Sequence, residues 1–277
     1  MISEALLNAQ GRIDALDARV LLCHAMGRDA TYVIAHPEAP LPPEARAAYD
    51  ALVERRSAGE PVAYITGERE FYGRAFKVTP AVLIPRPETE LLVDAALERI
   101  PPRAQARVLD LGTGSGCVAI AIASERPLSK VIAVDQSLDA LAVARRNAVN
   151  LSVGNIAFVQ GDWFAGLRKE RFDVIVANPP YVATGDPHLE QGDVRFEPRI
   201  ALESGADGLD AIRAIIAGAR GYLAAGGWLL LEHGHDQGAK VRAMLRDATF
   251  KDVVSGHDLA GIERVTGGRL TLVDATQ

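Results

Sequence analysis

Residues 107–124 read RVLDLGTGSGCVAIAIAS. Residues 108–111, which are apolar except for Asp110, predict a buried strand, and residues 117–124 predict a helix. The turn between them is Gly112-Thr113-Gly114-Ser115-Gly116, called the glycine loop below. Glycines there let the backbone turn tightly and approach a ligand closely. The G-x-G-x-G spacing matches neither a dinucleotide fingerprint nor a P-loop, so the loop suits a nucleoside without phosphates.

Strand and helix continue to alternate through the rest of the chain. This β-α-β alternation implies a parallel sheet that is covered by helices on both faces. Further strands are expected at residues 130–135, 155–160, 172–177 and 227–231, with closing strands at 252–255 and 268–273.

The part of the chain before residue 107 lacks this alternation. Residues 14–26 and 43–57 have the apolar spacing and the end signals of helices, and a hairpin is expected within residues 72–84. We therefore predict three parts, which are a helical bundle at 1–75, a hairpin linker and helix at 76–100, and an α/β domain at 101–277.

Asp135 is expected to end the second strand of the sheet. A carboxylate in that position accepts hydrogen bonds from ribose hydroxyls in nucleotide-binding sheets. The alternative is that Asp135 caps the helix beginning near Ser137, since Asp is a good N-cap. The glycine loop and Asp135 together favour nucleoside binding.

Gly161-Asp162-Trp163 follows the third strand and borders the same edge of the sheet. Asp162 is expected to accept a hydrogen bond from an adenine amino group, and Trp163 to cover the ring. Packing into the core is the alternative for Trp163.

Asn178-Pro179-Pro180-Tyr181, called the NPPY corner below, directly follows the apolar strand 172–177. Two prolines stiffen the corner and remove backbone donors, which leaves a rigid, acceptor-rich site. Such a site suits a planar NH₂ group, although Asn and Pro also favour plain turns. The Asn178 oxygen and the Pro179 carbonyl would accept its two N–H bonds, and Tyr181 would stack on its plane.

This order of motifs resembles the class I S-adenosylmethionine-dependent methyltransferases, in which NPPY is the variant that methylates amino groups. More specifically, it resembles the PrmC (HemK) family, which methylates the glutamine amide in the Gly-Gly-Gln loop of class-1 peptide chain release factors. The segments that carry the resemblance are residues 85–90 (PRPETE), 112–117, 161–163, 178–182, 196–198 with 201–202, and 205–209.

The resemblance implies a Rossmann-like class I methyltransferase sheet with helices on both faces and a small N-terminal helical domain that contacts the release factor. It implies S-adenosyl-L-methionine as the methyl donor and S-adenosyl-L-homocysteine as the product. The glycine loop, Asp135, Asp162, Trp163 and Asn178 would bind this cofactor. Residues 178–181 would bind the glutamine amide, and Arg86, Thr89 and Glu90 would close over the site.

The bulk composition bears on partners and compartment. Lys and Arg number 30 against 36 Asp and Glu, a net charge of −6, which disfavours stable binding to nucleic acid. The sequence shows no secretory signal and no apolar run of about 18 residues, so no membrane segment is expected. Two cysteines, Cys23 and Cys117, fit reduced thiols in the cytoplasm.

Two other functions stay open from the residues alone. NPPY serves an exocyclic amine equally well, so a DNA or RNA adenine or cytosine methyltransferase is an alternative. A non-catalytic S-adenosylmethionine-binding scaffold is another. Glu232-His233-Gly234-His235 follows the fifth strand, but it has no evident third ligand, so we expect solvated loop histidines and no metal.

Overall fold

The computed structural model describes residues 1–271, which divide into two compact units. The first unit contains Met1–Glu68 and a later segment, Glu190–Phe196. The second contains Arg69–Leu189 and the chain from Glu197 onward. Across the described residues, no helix combines the length and the apolar character needed to cross a membrane.

The first unit is helical. Its second helix begins after Asp14, whose side chain accepts a hydrogen bond from the Leu16 N–H at 2.7 Å, and ends at Gly27, which has a φ of 60°. Such caps satisfy backbone groups that a helix end leaves free. The helices are α1 (Ile2–Ala9), α2 (Ala15–Met26), α3 (Ala30–Ala35), α4 (Pro43–Ser57) and α5 (Val62–Thr66).

Segment Glu190–Phe196 belongs to this helical unit although it follows the NPPY corner in sequence. Arg56 holds it there, because its Nη1 donates to Asp193 Oδ1 at 2.7 Å while its Nε donates to Asp17 Oδ2 at 2.7 Å. The guanidinium thus joins the segment to the start of α2.

A two-stranded hairpin consists of β1 (Glu68–Phe71) and β2 (Arg74–Lys77). The expectation of a hairpin within residues 72–84 was wrong by several residues. Tyr72 and Gly73 form the turn with φ values of 51° and 70°, as a two-residue hairpin turn requires. Tyr-Gly is a weaker turn signal than Asn-Gly, which explains the misplaced prediction.

The second unit is built on a sheet that has seven strands within residues 1–271, in the order β5-β4-β3-β6-β7-β9-β8. Strands β3 to β7 run parallel, and β9 pairs antiparallel with both β7 and β8. The strands are β3 (Arg107–Leu111), β4 (Lys130–Asp135), β5 (Ile156–Gln160), β6 (Phe172–Ala177), β7 (Leu223–Glu232), β8 (Lys251–His257) and β9 (Glu263–Arg269).

Helices cover both faces of this sheet, as the fold class predicts. Adjacent β3 residues point to opposite faces: Val108 belongs to the apolar cluster that contains α6 and α7, and Leu109 to the cluster that contains α9 and α10. The helices of this unit are α6 (Glu90–Arg99), α7 (Cys117–Glu125), α8 (Leu138–Asn150), α9 (Asp210–Ala219) and α10 (Gly238–Asp247).

The last strand was expected at residues 268–273, but β9 is Glu263–Arg269. Gly267 and Gly268 lie inside the strand, and glycine usually weakens a strand, so the sequence suggested a later start. Residues 272 and 273 of the predicted strand lie outside the described part of the chain.

The register of the parallel strands brings their carboxyl ends to one edge. Leu111 at the end of β3 pairs with Val134 and with Ala177, and Ala177 pairs with Leu231. The segments that follow these residues therefore leave the sheet side by side, and in open sheets of this topology that edge is where ligands bind.

Candidate functional site

A cavity opens at the carboxyl edge of the sheet. Its walls come from loops that are far apart in sequence but meet there through the strand register. Parts of six segments line it, at residues 81–89, 110–118, 135–140, 161–163, 178–180 and 198–201.

The glycine loop turns from β3 into α7 under tight steric limits. Gly116 has a φ of 82°, and a Cβ at this position would lie 3.0 Å from the Ala144 Cβ. Gly112 has a φ of 73°, and its N–H donates to the Val134 oxygen at 2.9 Å. These left-handed conformations favour glycine, so the prediction of a tight βα turn is confirmed.

Asp135 lies beside this loop and lines the cavity. Its Oδ2 accepts from the Gly114 N–H at 2.8 Å and its Oδ1 from the Ser137 N–H at 2.9 Å. The side chain that caps α8 is that of Ser137, which accepts from the Ala140 N–H. Asp135 therefore braces the glycine loop, and ribose binding by its carboxylate stays a prediction.

Asp110 lies beneath the glycine loop and is buried. The Thr113 hydroxyl donates to its Oδ2 at 2.6 Å. Burial raises the pKa of Asp110 from its ordinary value to about 7, although the hydrogen bond from Thr113 acts in the opposite direction.

Asn147, in α8, connects the glycine loop to the hairpin. Its Nδ2 donates to the oxygens of Ser115 at 2.9 Å and Lys77 at 3.0 Å, and its Oδ1 accepts from the Lys77 N–H at 2.8 Å. The side chain is 1% exposed. Sequence reasoning missed this residue, because a single Asn within a helix carries no local motif.

Asp162 and Trp163 both line the cavity. Trp163 has a φ of 49°, and its ring approaches Gly112, where a Cβ would lie 3.5 Å from it. The ring also packs against the cluster containing α9 and α10. Trp163 thus both lines the cavity and packs into the core. The roles of Trp163 and Asp162 in binding an adenine ring stay predictions.

The NPPY corner, which follows the neighbouring strand β6, supplies another wall of the cavity. Asn178 and Pro180 line the cavity, whereas Pro179 is buried and Tyr181 is half-buried away from the lining. The Asn178 Nδ2 donates to the Thr89 Oγ1 at 3.2 Å. The corner is therefore placed to present the Asn178 amide toward a ligand.

The backbone after the two prolines is held by hydrogen bonds to residues that lie later in the sequence. The Tyr181 oxygen accepts from the Gln237 Nε2 at 3.0 Å. The Val182 N–H donates to the Leu202 oxygen at 2.9 Å, and the Val182 oxygen accepts from the Ser204 N–H at 2.8 Å. Burial raises the pKa of the Tyr181 hydroxyl well above its ordinary value, so it stays protonated.

Glu232, the last residue of β7, lies next to the corner and is 2% exposed. Burial raises its pKa to about 7, while hydrogen bonding from the side chains of Thr89 and Asn178 acts to lower it. Its Oε2 has no hydrogen-bond partner within the described residues. Glu232 was noticed in the sequence only as a neighbour of the histidines.

The three residues expected to close over the site separate into two groups. Arg86 and Thr89 line the cavity, and the Arg86 guanidinium pairs with the buried Glu197 carboxylate, which also accepts from the Ile84 N–H at 3.1 Å. Glu90 does not line the cavity, because it accepts a hydrogen bond from the Tyr72 N–H at 2.7 Å in the hairpin turn.

The expectation of two solvated histidines was wrong for His233. It is 0% exposed, with Nδ1 at 2.9 Å from the Gly234 oxygen and Nε2 at 2.8 Å from the Thr266 hydroxyl. Burial lowers the pKa of His233, so the ring is neutral. Only His235 is exposed. Within residues 1–271, no group of three His, Cys, Asp or Glu side chains has the arrangement of a metal site.

Two family models match the chain. A model described as the PrmC N-terminal domain matches residues 2–67, and one described as the methyltransferase small domain matches residues 88–193.

Curated relatives match almost the full length. A release factor glutamine methyltransferase of Burkholderia pseudomallei is 56% identical, with 93% of each chain covered. A protein of the same name from Escherichia coli is 49% identical, with 91% of each covered.

Among solved structures, the 16S rRNA N2 G1207 methyltransferase of T. thermophilus, in complex with AdoMet and guanosine, superposes with a TM-score of 0.56. It is 21% identical, and the match covers 73% of this chain and 49% of that one. At this identity the likeness establishes the fold.

Proposed function

The chain belongs to the family of release factor glutamine methyltransferases, and on that premise we propose its reaction. It transfers the methyl group of S-adenosyl-L-methionine to the side-chain amide nitrogen (N5) of the glutamine in the Gly-Gly-Gln motif of class-1 peptide chain release factors. The observation that carries the proposal is that Asn178 shares one cavity with the glycine loop and Asp135.

The residues of the glycine-loop side fit a nucleoside with a cationic group. Asp135 and Asp162 offer carboxylates to ribose hydroxyls and to an adenine amino group, Trp163 offers a ring face, and the glycine loop allows close approach. When bound there, S-adenosyl-L-methionine supplies an electrophilic methyl on a sulfonium. The product that leaves is S-adenosyl-L-homocysteine, and the methylated amide nitrogen releases one of its two protons.

The NPPY corner deals with the poor nucleophilicity of an amide, whose lone pair is delocalised into its carbonyl. The Asn178 Oδ1 and the Pro179 carbonyl accept the two N–H bonds of the glutamine amide and hold its nitrogen in place. Stacking of Tyr181 on the amide plane stays a prediction, because its side chain is not among the described residues that line the cavity. Both acceptors stabilise the positive charge that develops on nitrogen, as preorganised dipoles do, and fixed positioning supplies a further part of the rate.

The segment with Arg86 and Thr89 closes the cavity from a third side. The ion pair between Arg86 and Glu197 holds residues 84–86 near residues 197–201, which also line the cavity. Glu90 contributes indirectly, by fixing the hairpin turn through Tyr72.

We assign recognition of the release factor to the helical domain, proposed as residues 1–75, and catalysis to residues 101–277, with 76–100 as the linker. The cytoplasm is the proposed compartment, since release factors act there. The net charge of −6 supports a protein acceptor rather than a stable nucleic-acid partner.

One assay separates this function from the alternatives. The protein is incubated with S-adenosylmethionine labelled in its methyl group and with a class-1 release factor, a variant of that factor with Gln→Ala in the Gly-Gly-Gln motif, or duplex DNA. Label in the unmodified release factor alone is the expected result. Label only in DNA would indicate an amino methyltransferase of bases, and no transfer to any acceptor would indicate a scaffold.

A further inference from the structure

Glu232 and Asn178 end neighbouring strands in the same register. Ala177 in β6 pairs with Leu231 in β7, so the next residue of each strand, Asn178 and Glu232, leaves the sheet side by side. Asn178 lines the cavity, whereas the neighbouring Glu232 is buried and is not among the lining residues.

Thr89 completes a chain of three polar side chains. The Asn178 Nδ2 donates to the Thr89 Oγ1 at 3.2 Å. Thr89 and Asn178 can each donate to the neighbouring Glu232 carboxylate, and both act to lower its pKa. An ionised carboxylate only accepts, and a hydroxyl has a single proton. When Glu232 is ionised, Thr89 donates to it and keeps its lone pairs for Asn178. The nitrogen of the Asn178 amide then faces Thr89, and the oxygen is free to face the cavity.

We infer that Glu232 is a positioning residue that fixes the orientation of the Asn178 amide, so that the site accepts a glutamine side chain and rejects a glutamate side chain. This inference rests on the proposed function. With Oδ1 facing the cavity, Asn178 and the Pro179 carbonyl meet an NH₂ group favourably. A carboxylate offers only acceptor oxygens, which these two acceptors repel. The site therefore disfavours a glutamate side chain.

The direction of the hydrogen bonds can reverse when Glu232 is neutral. A protonated carboxyl donates to Thr89, which frees the Thr89 proton for the Asn178 oxygen and turns the amide nitrogen toward the cavity. The neighbouring charges act oppositely, because Glu88 favours the protonated form of Glu232 and Arg264 disfavours it. The charge of Glu232 also acts on two further titratable groups, Tyr181 and Cys117, whose pKa values it raises.

The test uses four full-length variants at pH 8 with a class-1 release factor. Glu232→Gln keeps the shape but not the charge, Thr89→Val removes the hydroxyl, and Thr89→Ser restores it. The matched control is Glu170→Gln, since Glu170 pairs with Arg107 at the opposite edge of the sheet. The readouts are kcat/KM and, without methyl donor, the dissociation constants of two release factors that carry either Gln or Glu in the acceptor position.

We expect Glu232→Gln and Thr89→Val to lower kcat/KM by roughly tenfold, the scale of one charge-assisted hydrogen bond, and to narrow the preference for Gln over Glu. Thr89→Ser should recover most of the kcat/KM and of the preference that Thr89→Val loses, and Glu170→Gln should leave both at the wild-type level. The acidic limb of the kcat/KM profile, which rises with pH as Glu232 ionises, should disappear in Glu232→Gln.

An unchanged preference for Gln over Glu in Glu232→Gln would overturn the inference, even with lower activity, because loss of folding or packing alone lowers activity without altering that preference. The binding comparison needs no methyl transfer. A wild-type protein that prefers Gln but transfers no methyl group would therefore refute the proposed function and not the role of Glu232.

Discussion

The glycine loop and the NPPY corner line one cavity from neighbouring strand ends, and each lies near a buried carboxyl group. Asp110 supports the glycine loop and accepts from Thr113, three residues later in the chain. Glu232 lies beside the NPPY corner at the end of another strand, where Thr89 and Asn178 act to lower its pKa and its Oε2 has no hydrogen-bond partner among residues 1–271. Burial raises the pKa of both carboxyl groups to about 7.

This comparison shows that the glycine loop is held by residues close to it in sequence, whereas the NPPY corner is held by residues from distant segments. The hydrogen bond between Asp110 and Thr113 closes within a single βα turn, so the fold of that turn sets it. The NPPY corner depends on Thr89, Glu232 and Gln237. Substitutions beside the glycine loop should therefore change cofactor binding, and substitutions beside the NPPY corner should change the reaction with the acceptor.

The largest expected effect is that of Asn178→Ala. Loss of the acceptor oxygen should lower kcat by roughly 10²-fold or more, the scale reported for one preorganised stabilising group. The affinity for S-adenosylmethionine, measured by titration calorimetry, should stay nearly the same. A comparable loss of cofactor affinity would mean that the two sides of the cavity are not separate and that Asn178 does not act mainly on the acceptor.

Gly116→Ala tests the opposite side. The added Cβ would meet Ala144 at 3.0 Å with the backbone at a φ of 82°, so we expect a cost of about 1–3 kcal/mol in stability together with weaker cofactor binding. Urea unfolding and cofactor titration measure the two effects.

Gly154→Ala is the control for that variant, since no atom lies within 4 Å of its added Cβ. It should change the free energy of unfolding by less than about 0.5 kcal/mol. If Gly116→Ala behaved like Gly154→Ala, the steric account of the glycine loop would be wrong.

The two buried carboxyl groups also predict how stability depends on pH. The folded pKa of each is raised to about 7, above its ordinary value, so the folded state binds the proton more tightly than the unfolded state. Their stabilising contribution is full below pH 4 and is lost as the pH rises toward 7, by up to about 1.4 kcal/mol per pH unit for each group.

Asp110→Asn should therefore raise the Tm at pH 8 and have little effect at pH 4, as measured by thermal unfolding without cofactor. Glu232→Gln should do the same. A Tm difference that is equal at both pH values would contradict the raised pKa. If only one of the two variants raised the Tm at pH 8, that variant would identify the carboxyl group whose buried charge destabilises the fold.

The sequence predicted the glycine-loop side of the cavity better than the NPPY side. β3, the glycine loop and α7 were predicted because they form one continuous segment whose apolar pattern and glycines act locally. The NPPY corner was predicted as a motif, but its supports were not. Glu232 is one of many acidic residues in the sequence, and only the pairing of Ala177 with Leu231 places it behind Asn178.

Two errors have related causes. His233 was expected in solvent because it follows a strand, but it turns inward to Thr266 on β9, a strand whose position was itself misjudged. Glu90 was grouped with Arg86 and Thr89 because all three belong to residues 85–90, a segment that carries the family resemblance. The helix begins at Glu90 and directs it to Tyr72, away from the cavity.

Glu197→Gln is the smallest of the predicted changes and tests whether the Arg86 segment belongs to the acceptor side alone. The neutral amide keeps a hydrogen bond to the Ile84 N–H but loses the charge that holds Arg86. Because the Arg86 side chain is 31% exposed, solvent screens the pair, and we expect a loss of about 1 kcal/mol.

That loss should appear as a several-fold higher KM for the release factor, with kcat and cofactor affinity unchanged. Glu203→Gln is the matched control, since it breaks a more exposed pair with Arg199 in the same part of the chain. Equal weakening of cofactor and acceptor binding by Glu197→Gln would show that residues 84–89 bridge both walls. The glycine loop would then depend on distant segments as much as the NPPY corner does.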